Sequence, residues 1–253
     1  MKLHHRVLGD GEPLIILHGL FGSSDNWQTL AKRYAEDFEV YLIDQRNHGH
    51  SPHSDEFNYD LMSDDLLEFV FDQQLMGVNI IGHSMGGKTA MFFAKKRPEL
   101  IHRMVVADMG VKGYKAHHTQ IIAGLKSIDF NSIASRRDVD KALSEYVPEI
   151  GTRSFLMKGL HWKEKGKLAW RMNVDCISKH LNEMMIPVDH GESDVESLFI
   201  TGGESDYLPK DDYDQVLTHF PDAEFIELSG AGHWLHVDQT EQFFDETFSF
   251  LTR

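Results

Sequence analysis

Short apolar runs alternate along the chain with longer stretches in which apolar residues recur at helical spacing. The runs are residues 14–17, 40–43, 78–81, 104–107 and 198–201. Runs that are apolar throughout are typical of strands in a parallel sheet covered on both faces. Helical spacing over 59–75 and 85–96, the latter ended by Pro98, predicts helices between these strands. This order predicts an α/β fold with a mostly parallel central sheet and helices on both faces.

The stretch from 111 to 190 departs from this alternation. It carries apolar residues at helical spacing and no strong strand run. We therefore expect one domain with an insertion, in which 1–110 and 191–253 form the core and 111–190 form a helical cap over the functional edge of the sheet. From Lys112 to His180 there are 13 Lys and Arg against 7 Asp and Glu, a net of +6 in a chain of net charge −15. This balance fits either a solvated helical surface or a basic roof over a pocket that receives an anion.

The composition excludes several classes of function. The chain has 253 residues, enough for one large α/β domain that buries roughly 70–75% of its extended surface. Acidic residues outnumber basic ones by 40 to 25, so we expect no nucleic-acid partner, since that needs clustered Lys and Arg. A single cysteine, Cys176, excludes an internal disulfide and a zinc site made of cysteines. The first residues are polar and no run approaches the ~20 apolar residues that span a bilayer, which predicts a cytoplasmic protein without membrane insertion.

The segment from 78 to 89 fits two chemistries. Gly82-His83-Ser84-Met85-Gly86 matches the nucleophile elbow, in which a strained turn between strand and helix lifts a serine hydroxyl above the sheet. The same letters, Gly82 to Gly87-Lys88-Thr89, match the phosphate-binding loop of nucleotide hydrolases. Both motifs require a strand, a turn and a helix, so local context does not separate them.

The rest of the chain favours a serine hydrolase, which needs a base, an acid and donors for an oxyanion. His18-Gly19-Leu20-Phe21-Gly22 follows the first apolar run and offers backbone amides. Gly203-Glu204-Ser205-Asp206 follows the last run and offers an acid. Gly230-Ala231-Gly232-His233-Trp234 follows a short predicted strand at 224–228 and offers a base. Serine, acid and histidine in this order match the hydrolase, whereas a nucleotide hydrolase leaves the two histidine motifs unexplained.

These motifs resemble those of a known protein family. Together with Asp44-Gln45-Arg46-Asn47-His48-Gly49-His50-Ser51, they occur in the order found in the α/β-hydrolase family, which the chain resembles along nearly all its length. Within that family it looks most similar to the small bacterial and mitochondrial esterases of the YbfF/ABHD11 type. The resemblance implies hydrolysis of carboxylic esters with no metal and no organic cofactor. The expected partner is a small-molecule ester or thioester.

The catalytic roles follow from the motifs. Ser84 is the predicted nucleophile and His233 the predicted base. Two residues compete for the orienting acid, and the sequence leaves both open. Asp206 follows a late strand, and Asp108 follows the strand after the elbow, 24 residues beyond Ser84. Asp175, inside the cap, is a third and weaker candidate.

The remaining predicted site residues surround the reacting carbonyl. The backbone N–H groups of Leu20 and Met85 are the predicted oxyanion donors, with Phe21 as the alternative. The side chains of Phe21 and Trp234 are predicted to bind substrate. The same triad also serves thioester and C–C bond hydrolysis, and a hydrolase fold also serves ligand-binding receptors. We therefore predict a carboxylic-ester hydrolase, with acyl-CoA hydrolysis, C–C bond hydrolysis and a receptor as the alternatives.

Histidine clusters elsewhere raise the question of a metal. They lie at His4-His5, at His117-His118 and at His48, His50 and His53. None has the spacing of a known zinc motif, so we predict no metal site. The loop around Asp44 and Arg46 is predicted to be structural.

Overall fold

A computed structural model of the chain describes residues 1–116, 118–133, 135–188 and 191–253. Four positions, His117, Ala134, Asp189 and His190, lie outside the described residues. The prediction of a histidine pair at His117-His118 therefore falls partly outside them.

A seven-stranded sheet runs through the described part of the chain. Its strands are β1 (His5–Leu8), β2 (Glu12–Leu17), β3 (Phe38–Ile43), β4 (Val78–His83), β5 (Ile101–Ala107), β8 (Glu196–Gly202) and β9 (Glu224–Leu228). They lie side by side in the order β1-β3-β2-β4-β5-β8-β9. Every pairing is parallel except that of β1 with β3, in which His5 lies opposite Ile43. The predicted α/β fold with a mostly parallel sheet is confirmed.

Helices cover both faces of this sheet, and further helices belong to the insertion. In chain order the described helices are α1 (Gln28–Tyr34), α2 (Tyr59–Asp72), α3 (Met85–Lys96), α4 (Thr119–Ser127), α5 (Arg136–Leu143), α6 (Ile150–Lys158), α7 (Val174–Lys179), α8 (Tyr213–Leu217), α9 (Leu235–Asp238) and α10 (Thr240–Leu251). Two apolar cores result, one on each face, and inward positions such as Leu14, Ile81 and Val105 are fully buried. Strands that are buried on both sides explain why the runs are apolar throughout.

The six predicted strands are all present, and α3 has the predicted bounds. The predicted helix over 59–75 ends at Asp72, because Gln73 caps it and Gln74 adopts a positive φ of 57°. Strand β1 was not predicted, since its sequence, His-Arg-Val-Leu, lacks the apolar run of a central strand. As an edge strand it pairs on one side only, and Val7 stays exposed.

The insertion is not purely helical. Residues between 111 and 188 form α4, α5, α6 and α7, but also a two-stranded antiparallel hairpin, β6 (Leu160–Glu164) and β7 (Lys167–Trp170). We predicted a helical stretch without a strong strand run, and the hairpin departs from that prediction. It was not predicted because its strands are short and mostly exposed, with charged residues in place of an apolar run.

The parallel strands place their carboxyl ends along one edge of the sheet. The segments after β2, β4, β5, β8 and β9 are those that carry the predicted catalytic motifs. This edge is where open α/β sheets bind their ligands. In the described ranges, no helix combines the length and the apolar character needed to cross a bilayer.

Candidate active site

Ser84 sits in a strained turn between β4 and α3. Its φ of 52° and ψ of −115° belong to a region that residues other than glycine rarely adopt. A Cβ at Gly82 would collide with the backbone of Gly86, and a Cβ at Gly86 would collide with the backbone of Leu17. Glycine at both positions is therefore a steric requirement of the turn. The strain is what the elbow needs to point the serine side chain away from the sheet.

The Ser84 hydroxyl lies within hydrogen-bonding distance of a histidine. Its Oγ is 3.0 Å from Nε2 of His233, and Nδ1 of the same ring is 2.6 Å from Oδ2 of Asp108. With Nδ1 protonated toward the carboxylate, Nε2 accepts the serine proton. Three residues far apart in the chain thus form one line of hydrogen bonds from carboxylate to hydroxyl.

Asp108 is held from several sides. It is fully buried just beyond β5 with a φ of 50°. Its Oδ1 accepts hydrogen bonds from Thr201 Oγ1 at 3.1 Å and from the Gly202 amide at 3.1 Å, and its Oδ2 also accepts one from Ser205 Oγ at 2.5 Å. These donors come from the end of the adjacent strand β8. They fix the carboxylate in the orientation in which it meets His233.

The other two candidate acids lie elsewhere. Asp206 is exposed, and no hydrogen bond to His233 is found for it among the described residues. It lines an open recess that also holds Lys115, Glu204 and the edge of His233. Asp175 lies on the surface of α7, where it pairs with Lys126. Of the three candidates, only Asp108 contacts the histidine.

Two aromatic neighbours contact His233. Tyr207 stacks on its ring with 3.9 Å between ring centroids and 15° between the planes. Nε2 of His83 donates to the backbone carbonyl oxygen of His233 at 2.8 Å, and the two histidine rings lie 4.8 Å apart. Sequence reasoning missed both residues, and Ser205 as well. All three stand within or beside a recognised motif, at positions whose contacts depend on how the loops meet.

The predicted oxyanion donors lie beside Ser84. Met85 opens α3, whose N-terminus carries a positive partial charge that favours an anion. Leu20 lines the pockets on both sides of Ser84. Phe21, the alternative donor, uses its N–H in a 3.1 Å hydrogen bond to Nε2 of His48. This bond removes Phe21 from the candidates and leaves Leu20, for whose amide no partner is found in the described chain.

His48 and two further buried histidines are neutral. Burial lowers the pKa of His48 to about 3 and that of His83 to about 3, and it also lowers the pKa of His18. Nδ1 of His18 donates to the Gly19 carbonyl, and its Nε2 accepts from the Gln45 amide. Each ring acts as a rigid donor and acceptor that braces the loops around Ser84.

We expect the free energy of unfolding to fall by about 3 kcal/mol between about pH 6.5 and about pH 5. In this range the unfolded chain protonates His48 and His83, while the folded chain keeps both neutral because their pKa values are lowered to about 3. The unfolded state binds more protons, so stability decreases as the pH falls. Urea unfolding followed by circular dichroism at several pH values measures this dependence.

A pair of variants tests whether His48 contributes to this pH dependence of stability. His48→Gln keeps an acceptor and a donor without a titrating ring, so the pH slope should decrease. His102→Gln, on the exposed part of β5, should leave the slope unchanged. Equal slopes for all three proteins would contradict the assignment.

Two apolar pockets adjoin Ser84. The first contains His233, with Phe21, Phe155, Leu156 and Trp234 among its walls. The second is lined by tyrosines and methionines: Tyr59, Met85, Met109, Tyr114, Met184, Met185 and Tyr207. Leu20 and His118 border both. Phe21 and Trp234, whose side chains are predicted to bind substrate, both line the first pocket beside Ser84.

Comparison with known proteins agrees with this geometry. A family model described as the alpha/beta hydrolase fold matches residues 12–120. The chain is 36% identical to a protein of Mus musculus named sn-1-specific diacylglycerol lipase ABHD11, over 94% of this chain and 80% of that protein. This chain belongs to the α/β-hydrolase family.

Further members of the family agree on the kind of reaction. Esterase YbfF of Escherichia coli is 31% identical, over 92% of this chain and 90% of that protein. A solved structure titled marine microorganism esterase superposes with a TM-score of 0.96 at 43% identity, covering 99% of both chains. This chain is therefore an enzyme of the esterase class within the α/β-hydrolase family.

The structure also accounts for the letters that resemble a phosphate-binding loop. Lys88 of the hydrolase is fully buried, and its Nζ donates to two backbone carbonyl oxygens. The hydroxyl of Thr89 donates to the Met85 carbonyl at 3.0 Å within α3. Neither side chain faces a space in which a phosphate group would fit.

Charge beside the opening is mixed among the described residues. Four cap cations are paired with carboxylates: Lys112 with Asp212, Lys126 with Asp175, Arg153 with Asp140 and Lys167 with Glu164. Of these carboxylates only Asp212 lies outside the stretch from Lys112 to His180, so the pairing leaves the net charge of that stretch positive. In the recess beside His233, however, Lys115 is accompanied by two acidic residues, Glu204 and Asp206, so the lining of the recess is not basic.

One histidine cluster approaches the arrangement of a metal site. Ligand atoms of His4, Asp44 and His50 lie within 4.8 Å of one another. The Asp44 carboxylate, however, accepts the backbone amides of Ser24 and His50, and the Arg171 guanidinium donates to Nε2 of His50 at 2.6 Å. A guanidinium beside the ring opposes a second cation there. The geometry matches the structural role predicted for the Asp44 loop.

Proposed function

We propose that this hydrolase cleaves carboxylic esters of small or medium acyl groups through a Ser84–His233–Asp108 triad and an acyl-enzyme intermediate. The observation that carries the proposal is the line of hydrogen bonds from Asp108 through His233 to Ser84, which ends between two apolar pockets. A serine hydroxyl is a weak nucleophile until a base accepts its proton. Nδ1 of His233 faces the Asp108 carboxylate, and its Nε2 lies 3.0 Å from Ser84 Oγ, in position to accept the serine proton.

The steps follow from the positions of the groups. Ser84 Oγ attacks the ester carbonyl while His233 Nε2 takes its proton. The amides of Leu20 and Met85, with the N-terminus of α3, stabilise the negative oxygen of the tetrahedral intermediate. His233 then gives the proton to the leaving alkoxide, and the acyl-enzyme forms. A water molecule, deprotonated by the same ring, releases the acid.

The position of His233 suggests which pocket binds the alcohol and which binds the acyl group of the ester. Because His233 protonates the leaving alcohol, the alcohol lies on its side, in the pocket with Phe155 and Trp234. The acyl group then occupies the pocket of tyrosines and methionines, which we call the acyl pocket. The large side chains of its walls leave little room in the acyl pocket, which favours short acyl chains.

We propose further that residues 111–190 act as a cap on this site. The pocket assigned to the alcohol, which we call the alcohol pocket, is lined by five residues of the insertion: His118, Ile121, Thr152, Phe155 and Leu156. Tyr114, Met184 and Met185 line the acyl pocket. A cap that supplies walls to both pockets excludes water from the reacting centre, which strengthens the electrostatic interactions there.

Acyl-CoA hydrolysis is the alternative with the same triad, and a substrate panel separates the two. We expect a neutral p-nitrophenyl butyrate to have a higher kcat/KM than butyryl-CoA, because Glu204 and Asp206 line the recess beside His233. Charge steering of the CoA phosphates would appear as a rate that falls steeply with salt, since added ions screen such attraction. We expect the ratio of the two rates to change by less than about twofold between low and high salt.

The panel includes one further substrate, and two outcomes would contradict the proposals. A diacylglycerol, the substrate class in the name of the mouse relative, tests whether long acyl chains enter the acyl pocket. Preference for butyryl-CoA that disappears at high salt would reject the neutral-ester proposal in favour of the thioesterase. Absence of any hydrolysis in the panel would reject the esterase proposal as a whole.

A further inference from the structure

Lys88 occupies an unusual place for a lysine. It projects from the first turns of α3 and is fully buried. Its Nζ donates to the carbonyl oxygen of Lys112 at 2.7 Å and to that of Ile186 at 2.6 Å. These two carbonyls belong to the two segments through which the insertion joins the core, about seventy residues apart in the chain.

The two joining segments also bond to each other. The Tyr114 amide donates to the Met185 carbonyl at 2.8 Å, and the Val188 amide donates to the Val111 carbonyl at 2.7 Å. The Tyr114 ring lies 4.8 Å from Nζ of Lys88, within range of a cation–π contact. Lys88 therefore fastens both ends of the insertion to helix α3, which begins at Ser84.

The fastening does not depend on the charge of Lys88. Burial lowers its pKa to about 7, and two backbone carbonyls solvate the ammonium group. An ammonium has three N–H bonds and a neutral amine has two, so either form satisfies both carbonyls. Without Lys88, two carbonyl oxygens would be left without their donor, and the segments would shift to find other partners.

The fastened segments form part of the acyl pocket. Tyr114 comes from the first segment, and Met184 and Met185 come from the second. The opposite wall, with Met85 and Met109, belongs to the core. The distance between the segments and α3 therefore sets how deep the acyl pocket is.

We propose that Lys88 is a positioning residue that fixes both junctions of the cap and thereby limits the length of the acyl chain that the hydrolase accepts. This inference rests on the proposed esterase function. The Lys88 backbone amide donates to the Ser84 carbonyl within α3, but the Lys88 side chain bonds to the two joining segments and not to the triad. The effect of the side chain therefore passes through Tyr114, Met184 and Met185.

The test is a chain-length series of p-nitrophenyl acetate, butyrate and octanoate, with kcat and KM measured separately. Lys88→Met has a similar shape but no N–H group. We expect it to raise the ratio of kcat/KM for octanoate over acetate by on the order of tenfold, mainly through a lower KM for octanoate. The kcat for acetate should stay within about threefold of the wild type, because a short acyl group does not reach the wall.

Two variants serve as comparisons. Lys96→Met removes a lysine from the exposed end of the same helix, where it pairs with Asp60 and Asp64, and should leave the chain-length profile unchanged. Lys88→Gln retains a side-chain donor and should lie between the wild type and Lys88→Met. A folded Lys88→Met enzyme whose octanoate-to-acetate ratio stays within about twofold of the wild type would overturn the proposal.

A second perturbation decides the question if Lys88→Met does not fold. A Cβ at Gly113 would lie 3.2 Å from Pro187 Cδ and 3.3 Å from the Met185 carbonyl oxygen, so Gly113→Ala pushes the two segments apart without touching α3. We expect the octanoate ratio to rise in this variant too, and an unchanged ratio would count against the proposal. If the wild type hydrolyses no ester, or if hydrolysis survives loss of Ser84, the proposed function fails instead.

Discussion

Ser84→Ala is expected to lower kcat for p-nitrophenyl butyrate by about 10⁴–10⁶-fold while leaving the fold intact. The hydroxyl is the group that would bond to the substrate, and no other described serine lies within hydrogen-bonding distance of Nε2 of His233. Replacing the hydroxyl by hydrogen removes one hydrogen bond and leaves the buried turn filled. Stopped-flow release of p-nitrophenol should show a burst equal to the enzyme concentration in the wild type and no burst in the variant.

A matched substitution controls for the loss of a buried serine. Ser197 is fully buried in β8, near the opposite end of the sheet, and its Oγ donates to the Val195 carbonyl. Ser197→Ala should keep kcat within about threefold of the wild type. A Ser84→Ala enzyme with more than about a tenth of wild-type activity would show that another group is the nucleophile.

Asp108→Asn should lower kcat by about 10⁴-fold, whereas Asp206→Asn should change it by less than about threefold. The carboxylate of Asp108 holds Nδ1 of His233 in its protonated form, and it stabilises the imidazolium that forms during attack. An asparagine amide can present its own N–H groups to the ring, which favours the wrong tautomer and removes the negative charge. Asp206 is exposed and makes no described contact with the ring, so its charge is screened by water.

The two aspartate variants form a control pair with the same chemical change. Steady-state kcat, together with thermal unfolding, separates a catalytic effect from loss of structure, since Asp108 also accepts hydrogen bonds from Thr201, Gly202 and Ser205. A large loss in Asp206→Asn with little change in Asp108→Asn would reverse the assignment of the acid.

Much of this molecule could be predicted from the linear pattern. Strands buried on both faces must be apolar throughout, so the runs that form β2, β3, β4, β5 and β8 are visible in the sequence. The elbow is visible because its steric requirements are local: Gly82 and Gly86 face backbone that a side chain would strike. Ser84 and His233 follow from that turn and from the order of the motifs.

The hydrophobic pattern does not predict short or exposed elements in the same way as buried strands. The hairpin β6–β7 is mostly exposed, so little of its sequence reflects burial. Lys88 shows that a local motif, too, does not reveal which tertiary contacts a side chain makes. The letters Gly-Lys-Thr fit a phosphate-binding loop. In the structure, however, the Lys88 side chain donates to the carbonyl oxygens of Lys112 and Ile186, which are distant from it in the chain.

Which of Asp108 and Asp206 contacts His233 is decided by tertiary structure alone. Both acids follow strands that are neighbours in the sheet, β5 and β8, so both arrive at the same edge, and their spacing in the sequence does not separate them. What separates them is where three loops meet. Thr201 and Gly202 at the end of β8, and Ser205 just beyond it, donate hydrogen bonds to Asp108 and turn its carboxylate toward His233, while Asp206 is exposed to solvent. A hydrogen bond of 2.6 Å depends on positions that strand pairing and loop packing set together, whereas the prediction of Ser84 as the nucleophile depends only on a turn of five residues.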